Sequence, residues 1–312
     1  MHLLIVGGTR FLGRHLAAQA LAAGHRLTLL HRGASGPGLF PEAEHLIADR
    51  NGDLAVLRGR RFDVVIDTCA YVPRHVRTLA AAFGADALPA QYQCVSSVSA
   101  YAAFDAAGTA EDAPLATLAD PATEVVDGAT YGGLKAACEA AAVEAFGAAR
   151  TLCVRPGLIV GPHDPSGRFT WWVRRADTQP EALLVPGDAA SPVQFIDVRD
   201  LDAWMLAAAE ARRHGAYNLT GPAAPLTMGD FVAALRDTLA PQARLVPRDE
   251  AWLLARQVAA WSELPVWLPA ESAALHRVRI DRALATGLAP RPLAQTLADT
   301  AAWARGAADH GL

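Results

Sequence analysis

Residues 2–13 read His-Leu-Leu-Ile-Val-Gly-Gly-Thr-Arg-Phe-Leu-Gly, "HLLIVGGTRFLG", a short apolar run that breaks into a glycine turn. From about residue 12 the pattern becomes helical, "RHLAAQALAAGH". A strand at 2–6, a turn at 7–13 and a following helix set backbone N–H groups and the positive end of a helix where a pyrophosphate can sit. Glycine serves where φ is positive or a ligand touches the backbone. The same turn also serves tight strand-to-helix connections that bind nothing, and Arg10 stands where such loops commonly carry a middle glycine. Gly7, Thr9, Arg10, Phe11, Leu12 and Gly13 are the candidate contacts.

Outward from this stretch the chain alternates apolar runs with helical patterns: "RLTLLHRG", "DVVIDTCAY", "RHVRTLAAAF", "YQCVSSVSAY", "GLKAACEAAAVEAF" and "RTLCVRPGLIVG". Continuous Val/Ile/Leu strands between amphipathic helices predict an α/β fold, a Rossmann-type doubly wound parallel sheet covered on both faces. From about residue 162 the chain turns richer in Pro, Trp and short mixed elements, "GPHDPSGRFTWWVRR" and "LLVPGDAASPVQFIDVRD". We read residues 1–161 as a dinucleotide-binding domain. Residues 162–312 form mainly a smaller C-terminal substrate lobe, with some segments returning to the first domain.

In a sheet of this kind the adenine ribose lies at the end of the second strand, where an acidic residue would accept a bond from the 2′-OH. Here "LTLLHRG" offers His31 and Arg32. Arg32 can pair with a 2′-phosphate, and Arg10 can act as a second clamp, so the expected cofactor is NADP, with NAD as the alternative.

The 312 residues are 52% hydrophobic and 19% charged, with a net charge of −4. That balance argues for a globular protein and against a binder of nucleic acid phosphates, which is usually basic. Cys69, Cys94, Cys138 and Cys153 lack C-x-x-C spacing and ligand-spaced histidines, so we expect free buried thiols and no metal. No apolar run is long enough to span a membrane, and no signal peptide is evident, so a cytoplasmic location is expected.

Downstream, "VSSVSAY" ends a strand and "YGGLK", Tyr131 to Lys135, begins a helix. Tyr131 and Lys135 share one helical face, so the ammonium can stabilise a phenolate by proximity and fit the tyrosine for acid/base work. The ordered set "GGTRFLG", "DVVIDTCAY", "SSVSAY", "YGGLK", "VRPGLIVGP", "VQFIDVRDL" and "YNLTGP" resembles the extended short-chain dehydrogenase/reductase family, also called the NAD-dependent epimerase/dehydratase family. The resemblance implies Tyr131 as catalytic acid/base, Lys135 as holder of the nicotinamide ribose and Ser97 as the group that polarises the substrate. Arg10 and Leu158 depart from the family pattern and resemble a divergent branch that includes bacterial reductases and chloroplast stem-loop RNA-binding proteins. An RNA-binding or nucleotide-binding scaffold is therefore the alternative to an enzyme, and the Ser97, Tyr131, Lys135 set argues for the enzyme.

Val98 and Ser99 stand where the similar 4,6-dehydratases carry Asp-Glu, which argues against dehydration. What the resemblance leaves is hydride transfer at a carbonyl or alcohol, as net reduction or oxidation or as epimerisation. Ser99, His163, Arg168 and Arg199 are candidate substrate contacts. Arg168, Arg174, Arg175 and Arg199 with Trp171 and Trp172 suit an anionic, flat ligand such as a nucleotide sugar, and equally suit solvated arginines and core tryptophans. A homodimer through helices near 72–84 and 129–147 is also implied.

Overall fold

The computed structural model describes residues 1–36 and 38–307. The first half of the chain gives strands β1 (His2–Val6), β2 (Arg26–His31), β3 (Glu44–Ile47), β4 (Val64–Asp67) and β5 (Gln91–Val95), with helices α1 (Phe11–Ala22) and α2 (Pro73–Phe83) between them. Helix α3 (Tyr131–Phe146), strand β6 (Thr151–Pro156), strand β7 (Ile159–Val160), helix α4 (Arg168–Thr178), strand β8 (Ala182–Pro186) and strand β9 (Ile196–Asp197) follow. Then come α5 (Val198–Glu210), β10 (Gly215–Leu219), α6 (Met228–Leu239), β11 (Arg244–Arg248), α7 (Glu250–Leu254), α8 (Asp281–Ala285) and α9 (Leu293–Gly306).

Seven of these strands make one parallel sheet in the order β10-β6-β5-β4-β1-β2-β3. The chain runs outward from β1 to β3, then crosses back to β4 on the other side of β1. That reversal opens a crevice beyond the carboxyl ends of β1 and β4, where sheets of this type bind ligands. The doubly wound expectation holds.

Strand alternation assigns each face its helix layer. Leu3 and Ile5 join Leu12, Leu16 and Ala17 of α1 and Leu201 and Met205 of α5 in one core cluster. Leu4 and Val6 point the other way and join Val76 and Leu79 of α2 and Cys138 and Ala142 of α3. A parallel sheet buried on both faces explains why its strands carry no polar stripe in the sequence. A further core gathers Phe169 and Trp172 of α4, Phe231 and Leu235 of α6, and Leu297 and Ala301 of α9 around the β8/β11 pair. The C-terminal half is thus shared. Segment 198–219 supplies α5 and the edge strand β10 to the main sheet, while α4, α6 and α9 build the second core.

A buried ion pair ties α3 to the sheet. Arg155 of β6 donates through Nε and Nη2 to the Glu139 carboxylate of α3 at 3.0 and 2.7 Å, with side chains only 5% and 6% exposed. The same guanidinium reaches Tyr101 Oη at 3.0 Å and the Glu111 carbonyl at 2.9 Å, and Tyr101 donates to Asn218 Oδ1 of β10 at 2.6 Å. Removing one partner strands the other charge in the interior. Glu139→Ala is therefore expected to lower unfolding free energy by about 3–5 kcal/mol, read from urea denaturation midpoints. A loss below about 1 kcal/mol would show that water reaches Arg155 and that the pair is not what holds α3.

Candidate active site

The crevice is a cleft of about 1190 Å³. Gly7, Thr9, Arg10, Phe11, Leu12 and Gly13 all line it. Gly7 turns at φ +94, and a Cβ there would come within 2.6 Å of Thr68 Oγ1. A Cβ on residue 13 would collide with the Gly7 carbonyl oxygen. Two glycines therefore let the first turn of α1 sit directly on the end of β1, with its amides at the cleft. Arg10 needs no glycine, because as N-cap of α1 it takes φ −132 and ψ 145, extended backbone open to any residue. Its exposed side chain stands at the cleft mouth. A dinucleotide pyrophosphate fits this cradle, with the glycine turn and the α1 amides as its donors.

Arg32 also lines the cleft and is exposed. Among the described residues neither Arg10 nor Arg32 forms an ion pair. His31 is different. It donates from Nε2 to His45 Nδ1 at 2.8 Å, while His45 Nε2 donates to the Phe40 carbonyl at 3.1 Å and His31 Nδ1 accepts the Gly33 N–H at 3.1 Å. That chain of donors and acceptors closes with both rings neutral. Burial, then the neighbouring His45, lowers the His31 pKa, so Arg32 is the cation left of the pair His31 and Arg32 at the end of β2.

The floor between β1 and β4 carries a group that sequence reasoning missed. Arg50 lines the cleft and clamps the fully buried Asp67 carboxylate through two 2.7 Å bonds. Tyr92 Oη adds a third at 2.9 Å. Burial works against the Asp67 charge, and Arg50 outweighs it, holding the carboxyl below its usual range. Cys69 is not fully buried as expected; it lines the cleft, and its thiol accepts from Arg50 at 3.1 Å.

Ser97, Tyr131 and Lys135 open onto the same cleft. Asp127 holds the entry to α3, accepting the Ala129 and Thr130 N–H groups at 2.9 and 3.0 Å, so Tyr131 becomes the first residue of the helix. Gly132 lets that turn lie against the Ser99 carbonyl, which a Cβ would strike. Lys135 is 3% exposed and donates to the Ala70 carbonyl at 2.8 Å and the Val95 carbonyl at 2.6 Å, beyond the ends of β4 and β5. Burial opposes its charge, but the nearby Cys94, Tyr131 and Cys138 outweigh it and raise the lysine pKa. Ser97 Oγ accepts the Ser99 N–H at 3.1 Å, which leaves its O–H as a donor for an oxygen in the cleft. Tyr71, also unforeseen, puts its ring 5.4 Å from the Lys135 ammonium.

On the far side of Tyr131, Ser99 and Arg168 line the cleft with Asp164, and the Arg168 guanidinium lies 5.4 Å from the Trp261 ring centroid. His163 and Arg199 do not line it. His163, at φ +68, packs against His15 and Trp303, and burial pushes its pKa down to about 4. Arg199 is spent on Asp197 and Asp299, locking α5 to α9. Trp172 is core, with Nε1 donating to the Pro265 carbonyl. The signals "GPHD" and "VRD" are thus structural at His163 and Arg199, and Asp164 is the member of "GPHD" that reaches the cleft.

The chain shares its fold with solved structures along nearly its whole length. A protein from Burkholderia cenocepacia J2315 matches with a TM-score of 0.74 at 21% identity, covering 98% of each chain. The UDP-glucuronic acid 4-epimerase of Bacillus cereus, solved with NAD, gives 0.69 at 16% identity over 98% of this chain and 99% of that one. TunA, an NAD-dependent NDP-hexosamine 5,6-dehydratase of tunicamycin biosynthesis, gives 0.70 at 20% identity over 98% of each chain. No curated protein sequence matches. The family model for the NAD-dependent epimerase/dehydratase family matches residues 3–220, which include the glycine turn, Ser97, Tyr131 and Lys135, and the chain belongs to that family of NAD-dependent enzymes.

Proposed function

We propose that the protein transfers a hydride between a nicotinamide dinucleotide, NADP in preference to NAD, and a carbonyl or alcohol substrate. The observation that carries this reading is that the Ser97, Tyr131 and Lys135 side chains line one cleft with the glycine turn. In this reading residues 1–161 hold the dinucleotide, and residues 162–312 mainly meet the substrate. A bound dinucleotide supplies or accepts the hydride. Tyr131 gives a proton to the substrate oxygen on reduction and takes it on oxidation, and the Ser97 O–H donates to the same oxygen as charge builds there. Lys135, with two ammonium protons committed to carbonyls, keeps one for the ribose or the phenol. Epimerisation is the second reading, favoured by the activity of the Bacillus cereus neighbour, because the same Tyr131 and Ser97 would serve a hydride that leaves and returns.

Tyr131→Phe removes the proton-transferring oxygen alone. Turnover is expected to fall about 10²–10⁴-fold with dinucleotide affinity nearly intact, as measured by initial rates and fluorescence titration. Turnover retained within about tenfold would remove Tyr131 as the acid/base.

Preference for NADP rests on Arg32, just past β2, and on Arg10, both exposed at the cleft. Arg32→Ala is expected to weaken NADPH binding by about 1–3 kcal/mol and leave NADH almost unchanged. Arg10→Ala does the same if it meets the 2′-phosphate, and weakens both cofactors alike if it lies along the pyrophosphate. An unmodified protein that prefers NADH ends the argument for NADP.

A homodimer through α2 and α3 completes the proposal. Val143 is 43% exposed on α3, and the Arg77–Glu144 ion pair joins the outer faces of the two helices. Light scattering at micromolar concentration should give twice the chain mass, and a monomer there removes the dimer.

A further inference from the structure

The short connection from β4 to α2 runs along the cleft with its backbone fastened and one side chain left unfastened. Thr68 Oγ1 donates to the Val6 carbonyl at 2.8 Å, and the Cys69 N–H donates to Asp67 Oδ1 at 3.1 Å. The Ala70 carbonyl takes a Lys135 ammonium proton at 2.8 Å. Pro73 opens α2, and a residue before proline is held extended, as Val72 is at φ −136 and ψ 150. Between these points the Tyr71 N–H donates to His75 Nδ1 at 3.4 Å, and His75 Nε2 donates to Asn51 Oδ1 at 2.9 Å. Burial pushes the His75 pKa down to about 4, so the ring stays neutral and Nδ1 remains an acceptor. The backbone on both sides of Tyr71 is therefore set in advance of any ligand.

The Tyr71 side chain is not. It lines the cleft, is 44% exposed, and its Oη has no hydrogen-bond partner among the described residues. Its ring centroid lies 5.4 Å from the Lys135 ammonium, within cation–π range. Lys135 of α3 and, to a smaller extent, Arg10 of the glycine turn both act on the phenol, so it stands between the two sides of the cleft. Burial outweighs both cations and raises the Tyr71 pKa, which keeps the phenol protonated and able to donate. A dinucleotide with its pyrophosphate on the glycine turn and its ribose at Lys135 has to run past this hydroxyl.

We propose that Tyr71 is a further dinucleotide-binding residue, its Oη donating to the pyrophosphate on the nicotinamide side. This rests on the reading of the cleft as a dinucleotide site. The glycine turn serves the pyrophosphate from the α1 side, and Tyr71 serves it from the β4–α2 connection. Because the backbone is already fixed, ordering this donor costs the freedom of one side chain only.

The test titrates the full chain with NADH and NADPH by fluorescence, and with ADP-ribose and AMP by displacement of NADPH. Tyr71→Phe keeps the ring and removes the hydroxyl. It is expected to weaken NADH, NADPH and ADP-ribose alike by about tenfold, the size of one charged hydrogen bond, and to leave the urea midpoint unchanged. AMP, which ends at the adenosine-side phosphate, should weaken by less than about twofold. Affinities that all stay within about twofold overturn the proposal, as do tighter binding, an equal loss for AMP, or a loss accompanied by a fallen urea midpoint. A loss seen only in Tyr71→Leu assigns the effect to the ring and also overturns it. An unmodified protein that binds none of the four ligands overturns the dinucleotide reading together with this proposal. A chain that reduces no carbonyl, yet shows the expected loss in Tyr71→Phe, removes hydride transfer and leaves the Tyr71 contact standing.

Discussion

Two backbone contacts that exclude a side chain set the geometry on which the site depends. Gly13 packs on the Gly7 carbonyl, and Gly132 packs on the Ser99 carbonyl. The first brings the N-terminus of α1 onto the end of β1, and the second brings the N-terminus of α3 onto the turn that carries Ser97. Neither approach is open to a residue with a Cβ, so two helix starts are pinned to opposite sides of one crevice. The parallel sheet then fixes where that crevice falls, because the reversal between β1 and β4 leaves a gap that no connection crosses.

The charged groups divide into two populations with different physical consequences. Arg50 with Asp67, Arg155 with Glu139, and Lys135 with its two carbonyls are buried and satisfied within the fold. Such groups bring little net stability against an apolar replacement, yet removing one partner is costly, so they specify geometry more than they stabilise it. Arg155 and Lys135 anchor the two ends of a single stretch of α3, the stretch that presents Tyr131. Arg10, Arg32 and Arg168 stand at the cleft outside these networks, and their charge is available to a ligand.

Much of this was legible in the sequence because the signals were local. Continuous apolar runs report a doubly covered sheet, and a turn of glycines reports a close backbone approach. Arg10 at the middle position of the turn was legible as a departure but not as a harmless one. Only the backbone angles reveal that this position is extended and needs no glycine. His163 and Arg199 were misread because their partners, Trp303 and Asp299, lie more than ninety residues away in α9. Trp261 and Tyr71 escaped notice for the converse reason. Nothing near them in sequence marks them, and the turns that aim them at the cleft belong to long-range packing. Arg50 gave a faint signal, an arginine just past a strand, which makes sense only when Asp67 is seen beneath it.

Beyond the end of β2, the exposed Arg32 guanidinium lines the cleft beside a neutral histidine pair. Near the start of α4 the lining mixes Leu158, Ile159 and Trp261 with Ser99, Asp164, Ser166 and Arg168. Coulomb attraction between exposed groups weakens with salt, whereas burial of apolar surface does not. In the proposed reaction Tyr131 moves its proton inside this one cleft, with Ser97 and Lys135 lining it as well.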